Sequence, residues 1–163
     1  MAIDSTVMHN YRFSVGFLKS LLEGLDDSKM THQPNPGMNH PIWIVGHLAL
    51  TMEFVAMLAG ADYKGPEGWE ALFGYKTVPV DDAAKYPKMG EVVAELDKAI
   101  AAVEPALSAM TDEALAAQMP NEGFREMMPT VGDGVTFLTN GHVSMHTGQL
   151  SAWRRAIGLP PLF

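Results

Sequence analysis

Four stretches of the chain repeat apolar residues at spacings of three and four, and this periodicity constrains the fold more than any other feature. Because one turn of an α-helix takes 3.6 residues, such spacing places the apolar side chains on a single face. The stretches cover residues 5–25, 41–59, 89–110 and 132–157. No segment shows the regular alternation of apolar and polar residues that is typical of half-buried strands. The sequence therefore predicts an all-α protein.

Residues that start and stop helices flank these stretches. Pro41 suits the first turn of the second helix, with Asn39 or His40 as the cap before it. Gly60 ends that helix, and a glycine followed by prolines ends the last one. Pro105 lies inside the third long helix and should kink or shorten it. Shorter helices are expected around "GWEALFG" and after Thr111.

The lengths of the connections predict how the long helices are arranged. The loop over residues 26–40 is polar and makes the first two helices antiparallel. The irregular connection over residues 60–88 is long enough to return the chain, so that helices 2 and 3 run parallel. A chain of 163 residues suits one domain. We therefore predict a four-helix bundle over residues 1–163, in up-down-down-up order with a long crossover between helices 2 and 3.

Charge and composition exclude several classes of function. The net charge of −8 argues against nucleic-acid binding, which requires a basic surface. The chain has no cysteine, so disulfides, thiolate metal ligands and a cysteine nucleophile are excluded. We find no signal peptide and expect no apolar stretch of membrane-spanning length. A cytoplasmic protein with neither a nucleic-acid nor a membrane partner is the expectation.

Histidines on the core-facing stripes of two predicted helices form the main candidate site. In "HVSMHTGQL", residues 142–150, His142 and His146 are one turn apart and share a helix face. His47 lies on the stripe of the second helix, and antiparallel helices would bring it toward this pair. We expect the site at the open end of the bundle, with the polar loop over residues 26–40 above it.

Three neutral imidazoles suit a borderline divalent metal such as zinc or nickel. Three protein ligands leave a coordination position open, which is typical of catalytic rather than structural sites. Taken alone, His47 is more typical of a hydrogen-bonded core histidine. The agreement of the three positions favours metal ligation, because burying three unpaired imidazoles is costly.

Gln149 and Arg154 are the candidates for a catalytic role. Gln149 follows His146 on the same stripe, so its amide is expected to bond either a ligand or a backbone group. Arg154 and Arg155 could hold the carboxylate of an acidic thiol or substrate. The alternative for both arginines is a solvated position near a helix C-terminus, where cations interact favourably with the helix dipole.

Other residues near the predicted site have two interpretations each. Trp43 is expected to pack at the start of the second helix rather than to stack on a ligand. Glu53 is expected to face solvent, with orientation of His47 as the alternative. For His32 and His40, a surface position is favoured over a role as proton shuttle.

Apolar side chains near the predicted site suit a pocket. Met145 and the aromatic residues of 69–75 are expected either to line an adaptable apolar pocket or to fill the core. Tyr11 is expected to lie too deep to reach the site.

Two regions of the chain resemble the signature regions of the DinB/YfiT-like superfamily. They are "NHPIWIVGHL" at residues 39–48 and "HVSMHTGQLSAWRRAIGLPP" at residues 142–161. The order, spacing and segment lengths all match that family. The resemblance implies a four-helix bundle that holds a divalent metal on a histidine triad, which corresponds here to His47, His142 and His146.

The resemblance also implies a reaction. Relatives include bacillithiol transferases and a mycothiol-dependent maleylpyruvate isomerase, and family members often form homodimers. The implied function is a metal-dependent thiol S-transferase, in which an exogenous low-molecular-weight thiol attacks a small electrophile as its thiolate. Two alternatives stay open: a metal-dependent hydrolase of a small substrate, and a non-catalytic, dimeric metal- or ligand-binding bundle.

Overall fold

The computed structural model describes residues 3–162, and within this range the regular structure is helical, with no strand. The helices are α1 Ser5–Leu22, α2 Pro41–Ala59, α3 Trp69–Phe73, α4 Met89–Ala109, α5 Asp112–Ala116, α6 Val131–Thr136 and α7 Val143–Ala156. The prediction of an all-α protein is confirmed. The four long periodic stretches correspond to α1, α2, α4 and the run from α6 to α7.

The start of α2 is capped by His40. The Nδ1 atom of His40 accepts a hydrogen bond from the backbone N–H of Trp43 at 3.2 Å, and Pro41 occupies the first turn. Asn39 is not the cap, which corrects one of the two assignments that the sequence left open. At the other end, Gly60 adopts a left-handed conformation with φ of 72°, as helix C-termini favour.

Helix α2 is the most deeply buried element, and the prediction that the stripe carrying His47 faces the core was wrong. Its buried residues lie on nearly every side of the helix, whereas Met57, on the predicted core stripe, is 55% exposed. A helix that packs against several neighbours has to be apolar all round. The middle of the stripe that carries His47, with Leu50 and Phe54, lines a cavity at the candidate site rather than the centre of the core.

By length and composition alone, α2 could cross a membrane, with a mean hydropathy of 1.8. The expectation that no apolar stretch approaches the length of a membrane span was therefore wrong. Of this stretch, 61% is buried inside the protein, where it packs against α4, α3 and α7. Its apolar surface is largely covered by other helices of the same chain.

Helix α4 runs through Pro105 without ending there. The helix continues to Ala109, so the expected shortening was wrong. Both Pro105 and Ala101, whose carbonyl loses its helical donor to the proline, are exposed. Water can pair with that carbonyl, which lowers the cost of a proline inside the helix.

The last predicted helix is interrupted by a π-helical segment. Residues Phe137–His142 form this segment between α6 and α7. A capping box of Thr130 and Asp133 fixes the start of α6. The π-helical segment ends at His142, one of the three candidate metal ligands. Such segments are rare and often occur at functional sites.

Candidate metal centre

The structure brings His47, His142 and His146 to one point. The Nε2 atom of His142 lies 3.3 Å from that of His47 and 3.2 Å from that of His146. One ring nitrogen from each residue lies within 4.8 Å of the other two, a grouping that could hold a metal ion. The ligand atoms come from α2, the π-helical segment and α7.

The imidazole of His47 is oriented from two sides. Its Nδ1–H donates to the carbonyl of Phe73 at 2.7 Å, which leaves Nε2 as a bare acceptor facing the other two rings. Phe73 is the last residue of α3, where carbonyls lack an intrahelical donor. The Trp43 ring stacks on the His47 ring at 4.7 Å with an angle of 8° between the planes. Trp43 is thus buried packing, as expected, and in addition it stacks directly on a candidate ligand.

The imidazole of His146 is oriented by a chain of amides. Its Nδ1–H donates to Oε1 of Gln149 at 2.9 Å, and the same oxygen accepts a hydrogen bond from Nδ2 of Asn39 at 3.0 Å. The Nε2 atom of His146 is therefore also a bare acceptor that faces the cluster. This chain explains what Asn39 does instead of capping α2.

His142 completes the group through its Nε2 atom. Its Nδ1 is buried and has no hydrogen-bond partner among residues 3–162. Its Nε2 faces the two bare acceptors of His47 and His146. A divalent cation at this point would pair with three nitrogen lone pairs at once, whereas a proton on His142 could satisfy only part of the group. The donor set and the tautomers therefore fit a metal ion.

Burial keeps the three imidazoles neutral. Loss of solvent lowers the pKa of His146 to about 3, with smaller contributions from His142 and His47. It also lowers the pKa of His142 to about 4, with a contribution from His47, and it lowers the pKa of His47. At neutral pH all three rings are in the form that binds metals.

A cavity of about 550 Å³ opens beside the triad. His47 and His142 contribute to its wall, whereas His146 lies behind them and is 4% exposed. Most of the remaining wall comes from two connections, residues 70–75 and 121–128. Among the described residues, none of the loop over 26–40 lines this cavity, although Asn39 of that loop reaches His146 through Gln149, so the predicted position of the loop above the site is met on the His146 side only. The connection after α2 folds back over His47 through α3 and takes that place.

The expected apolar lining is present in part. Met145 and Tyr75 line the cavity, whereas Trp69 and Phe73 are buried in the core. The aromatic residues of α3 therefore pack α3 against α2. Tyr11 is fully buried and donates to the sulfur of Met52, away from the cavity lining.

Neither candidate for a catalytic role lines the cavity. Gln149 is engaged by His146 and Asn39, which makes it an orienting group in this structure. Arg154 is buried and donates from Nη1 to the carbonyl of Leu21 at 2.7 Å, at the C-terminal end of α1. The expectation of a solvated Arg154 was wrong, because the free carbonyls at the end of α1 draw the guanidinium inward. Arg155 is exposed.

The two other histidines near the site differ from each other. His40 is fully buried, so the surface position favoured for it was wrong. Its Nε2–H donates to the carbonyl of Val80 at 3.2 Å, and burial lowers the pKa of His40 to about 4. His32 is exposed and pairs with Asp81 at 3.1 Å. Glu53 is half-buried beside Gly65, and the carbonyl of Phe73 orients His47 instead.

Three parts of the site were not predicted from the sequence. They are the Phe73 carbonyl, the π-helical segment and the wall over residues 121–128. For the Phe73 carbonyl, the predicted short helix at "GWEALFG" was a usable signal, because the free carbonyls at the end of a helix need hydrogen-bond donors. The sequence offers no comparable signal for the other two.

The chain is similar to a known family in sequence and to a solved structure in fold. The sequence model described as the DinB superfamily matches residues 17–150. A crystal structure described as a conserved protein of a locus from Enterococcus faecalis superposes with a TM-score of 0.70. That likeness covers 96% of this chain and 98% of that chain at 14% sequence identity, and it concerns the fold alone. No curated protein matches the sequence significantly.

Proposed function

The chain belongs to the DinB superfamily, and from this premise we propose that it binds zinc or nickel through His47, His142 and His146. The observation that carries the proposal is the orientation of the rings. Two of the three imidazoles place Nδ1–H on a carbonyl oxygen outside the site, so that Nε2 faces the shared point. Such outer partners are typical of metal-ligating histidines.

We propose that the reaction is the transfer of a low-molecular-weight thiol to a small electrophile. When bound, the metal supplies a positive charge that favours the thiolate form of the thiol. The chain has no cysteine of its own, so the thiol comes from solution. The thiol gives up its proton to water, the sulfur forms a bond to the electrophilic carbon, and the leaving group departs with the electron pair of the bond that breaks.

The residues of the chain have three tasks in this reaction. The triad keeps its three ligand atoms together and leaves the cavity side free for the thiol. The apolar wall holds the electrophile and excludes water that would compete with sulfur. The side-chain oxygen of Gln149 and the carbonyl oxygen of Phe73 accept hydrogen bonds from Nδ1–H of His146 and His47. These bonds keep the ring proton on Nδ1, so that Nε2 of each ring stays unprotonated.

We also propose that the four long helices form the up-down-down-up bundle predicted from the loop lengths. Contacts between α1 and α4 run in opposite order along the two helices, with the pairs Arg12–Glu104 and Lys19–Asp97. Contacts between α1 and α7 run in the same order, with the pairs Ser14–Ser144 and Leu21–Arg154. Contacts of α2 and the residue before its cap with α7 and the preceding π-helical segment run in opposite order, with the pairs Asn39–Gln149 and His47–His142. These directions agree with the proposed order.

We also propose that the protein is a homodimer in the cytoplasm. Each chain is a single domain, and it acts on a small molecule. The support for the dimer is the family resemblance. Sedimentation of the purified protein tests it, and a monomer at micromolar concentration would contradict it.

Elemental analysis of the purified, tag-free protein tests the metal site. We expect about one divalent ion per chain, lost in His47→Ala and His142→Ala. His9→Ala is the matched control, because His9 is exposed on α1 and lies outside the triad. Absence of metal, together with no uptake of added zinc or nickel, would overturn the proposal.

Turnover of the metal-loaded protein tests the reaction. A panel of small thiols and electrophiles is compared with the same electrophiles in water alone. Product that forms only with a thiol supports transfer. Product that forms in water alone would favour the hydrolase, and tight ligand binding without any product would favour the non-catalytic bundle.

A further inference from the structure

We propose that the cavity beside the triad takes an uncharged aromatic or apolar compound, and that Glu70 excludes anions from it. The identification of this compound as the electrophile rests on the proposed function. The binding preference itself follows from the cavity of the metal-free protein, because a divalent ion at the triad would add two positive charges to its wall.

The cavity has the size and surface of a small-molecule site. Its volume of about 550 Å³ suits a compound of one or two rings. Three large apolar side chains of its wall are substantially exposed: Tyr75 at 72%, Met127 at 68% and Met145 at 51%. Apolar surface gathered in one concave region is costly in water and is stabilised by an apolar ligand.

An aromatic wall gives the cavity a preference for flat rings. The ring of Phe124 contacts the ring of Phe54 edge-to-face at 5.9 Å and the ring of Tyr75 at 6.5 Å. Aromatic side chains in such clusters offer both faces and edges to a further ring. The methionines of the wall are flexible and can adapt to the outline of the ligand.

Charge in the cavity selects against anions. Glu70 lines the wall, and none of the described lining residues is a lysine or an arginine. The two cations nearest in sequence to the wall, Lys76 and Arg125, do not line the cavity. Lys76 lies over the ring of Tyr75 at 5.1 Å, and Arg125 donates to Glu122 and to the carbonyl of Met119. In the metal-free protein, an anion in the cavity would lose water, gain no cation from the lining residues and meet a carboxylate.

The lack of a side chain at Gly74 leaves room for the Glu70 carboxylate in the cavity wall. Glu70 lies on α3, and its side chain packs against the backbone of Gly74 at the end of the helix. Any side chain at Gly74 would collide with that carboxylate. Helix α3 also supplies the carbonyl that orients His47. One short helix therefore determines both the orientation of a ligand ring and the charge in the cavity wall.

A pair of fluorescent probes with the same ring system tests the proposal. N-phenyl-1-naphthylamine is neutral, and 8-anilino-1-naphthalenesulfonate is the same skeleton with a sulfonate. Both are titrated into the full-length, metal-free protein. We expect the neutral probe to bind with a Kd at least about tenfold lower than that of the sulfonate. Equal affinities, or tighter binding of the sulfonate, would overturn the proposal.

Substitution of Glu70 tests the exclusion of anions. Glu70→Gln should lower the Kd of the sulfonate probe severalfold and leave the Kd of the neutral probe unchanged. Glu67→Gln is the matched control, because Glu67 is exposed nearby but does not line this cavity. An unchanged sulfonate Kd in Glu70→Gln would show that Glu70 does not exclude anions.

A second pair of variants locates the probe. Phe124→Ala should weaken binding of the neutral probe, whereas Phe13→Ala should not, because Phe13 is an exposed ring on α1 outside the cavity. Equal effects of the two variants would place the probe elsewhere and overturn the assignment. Loss of metal in elemental analysis leaves these measurements intact, so failure of the metal site and failure of the cavity proposal are distinguishable.

Discussion

The proton on two of the three site imidazoles is held by an oxygen outside the site. For His146 that oxygen belongs to Gln149, which Asn39 holds in turn. For His47 it is a backbone carbonyl, which no substitution of the side chain at that position removes. A single substitution of Gln149 can therefore test how the orientation of a ligand ring affects metal binding.

Replacement of Gln149 should weaken metal binding without unfolding the protein. Gln149→Leu removes the acceptor for His146, and we expect the zinc Kd to rise about 10- to 100-fold. Gln149→Glu keeps an acceptor and should retain most of the affinity. The measurement is competition with a chromophoric chelator, with Gln118→Leu as an exposed control. A Gln149→Leu Kd within about twofold of the original would remove this residue from the site.

At the scale of elements, the site depends on how closely α3 packs on α2. Gly46 lies on the face of α2 that meets α3. A Cβ atom at Gly46 would lie 2.5 to 2.6 Å from the ring atoms of Phe73, which is fully buried. The missing side chain lets α3 approach, and this approach places the Phe73 carbonyl against His47.

Gly46→Ala should therefore disturb both stability and metal binding. Overpacking against a buried ring costs about 1–3 kcal/mol of the free energy of unfolding, measured by urea denaturation. The zinc Kd should rise as well, because the carbonyl moves away from His47. Gly16→Ala is the control on α1, where a Cβ atom meets nothing within 4 Å, and it should be neutral or slightly stabilising. Equal behaviour of the two variants would contradict this account of the packing.

At the scale of the whole molecule, folding buries histidines in neutral form, and this makes stability depend on pH. His40 is fully buried, and burial lowers its pKa to about 4 from the ordinary value of 6.5. The pKa values of the triad are lowered in the same direction. The unfolded chain therefore binds more protons than the folded one between pH 6.5 and 4. Stability is fully present above pH 6.5 and is lost as the pH falls toward 4.

The metal-free protein should thus unfold more easily in mild acid. From the pKa of His40 alone, we expect the free energy of unfolding to fall by on the order of 2 kcal/mol between pH 7.5 and 5. His40→Asn keeps a capping side chain and should reduce this loss. Urea denaturation of both proteins in a chelator measures the difference. The same pH slope in the two proteins would show that His40 does not carry it.

Local physics explains what the sequence predicted well. Periodicity and capping act over a few residues, so the bounds of α1, α2 and α4 are close to those expected. The same periodicity identified the three histidines that the structure brings together. Where a feature depends on distant parts of the chain, as the place of Arg154 does, local pattern was a poor guide.

The sequence by itself determined the helical class, the positions of the long helices and the family to which the chain belongs. Tertiary structure alone decided that α2 is buried on most sides, that residues 121–128 wall the cavity, and that a carbonyl of α3 orients His47. The physical reason is the range of the forces involved. Helix formation is fixed by neighbours along the chain, whereas a backbone carbonyl has the same chemistry at every residue. Which carbonyl meets a given imidazole is therefore known only once the helices have packed.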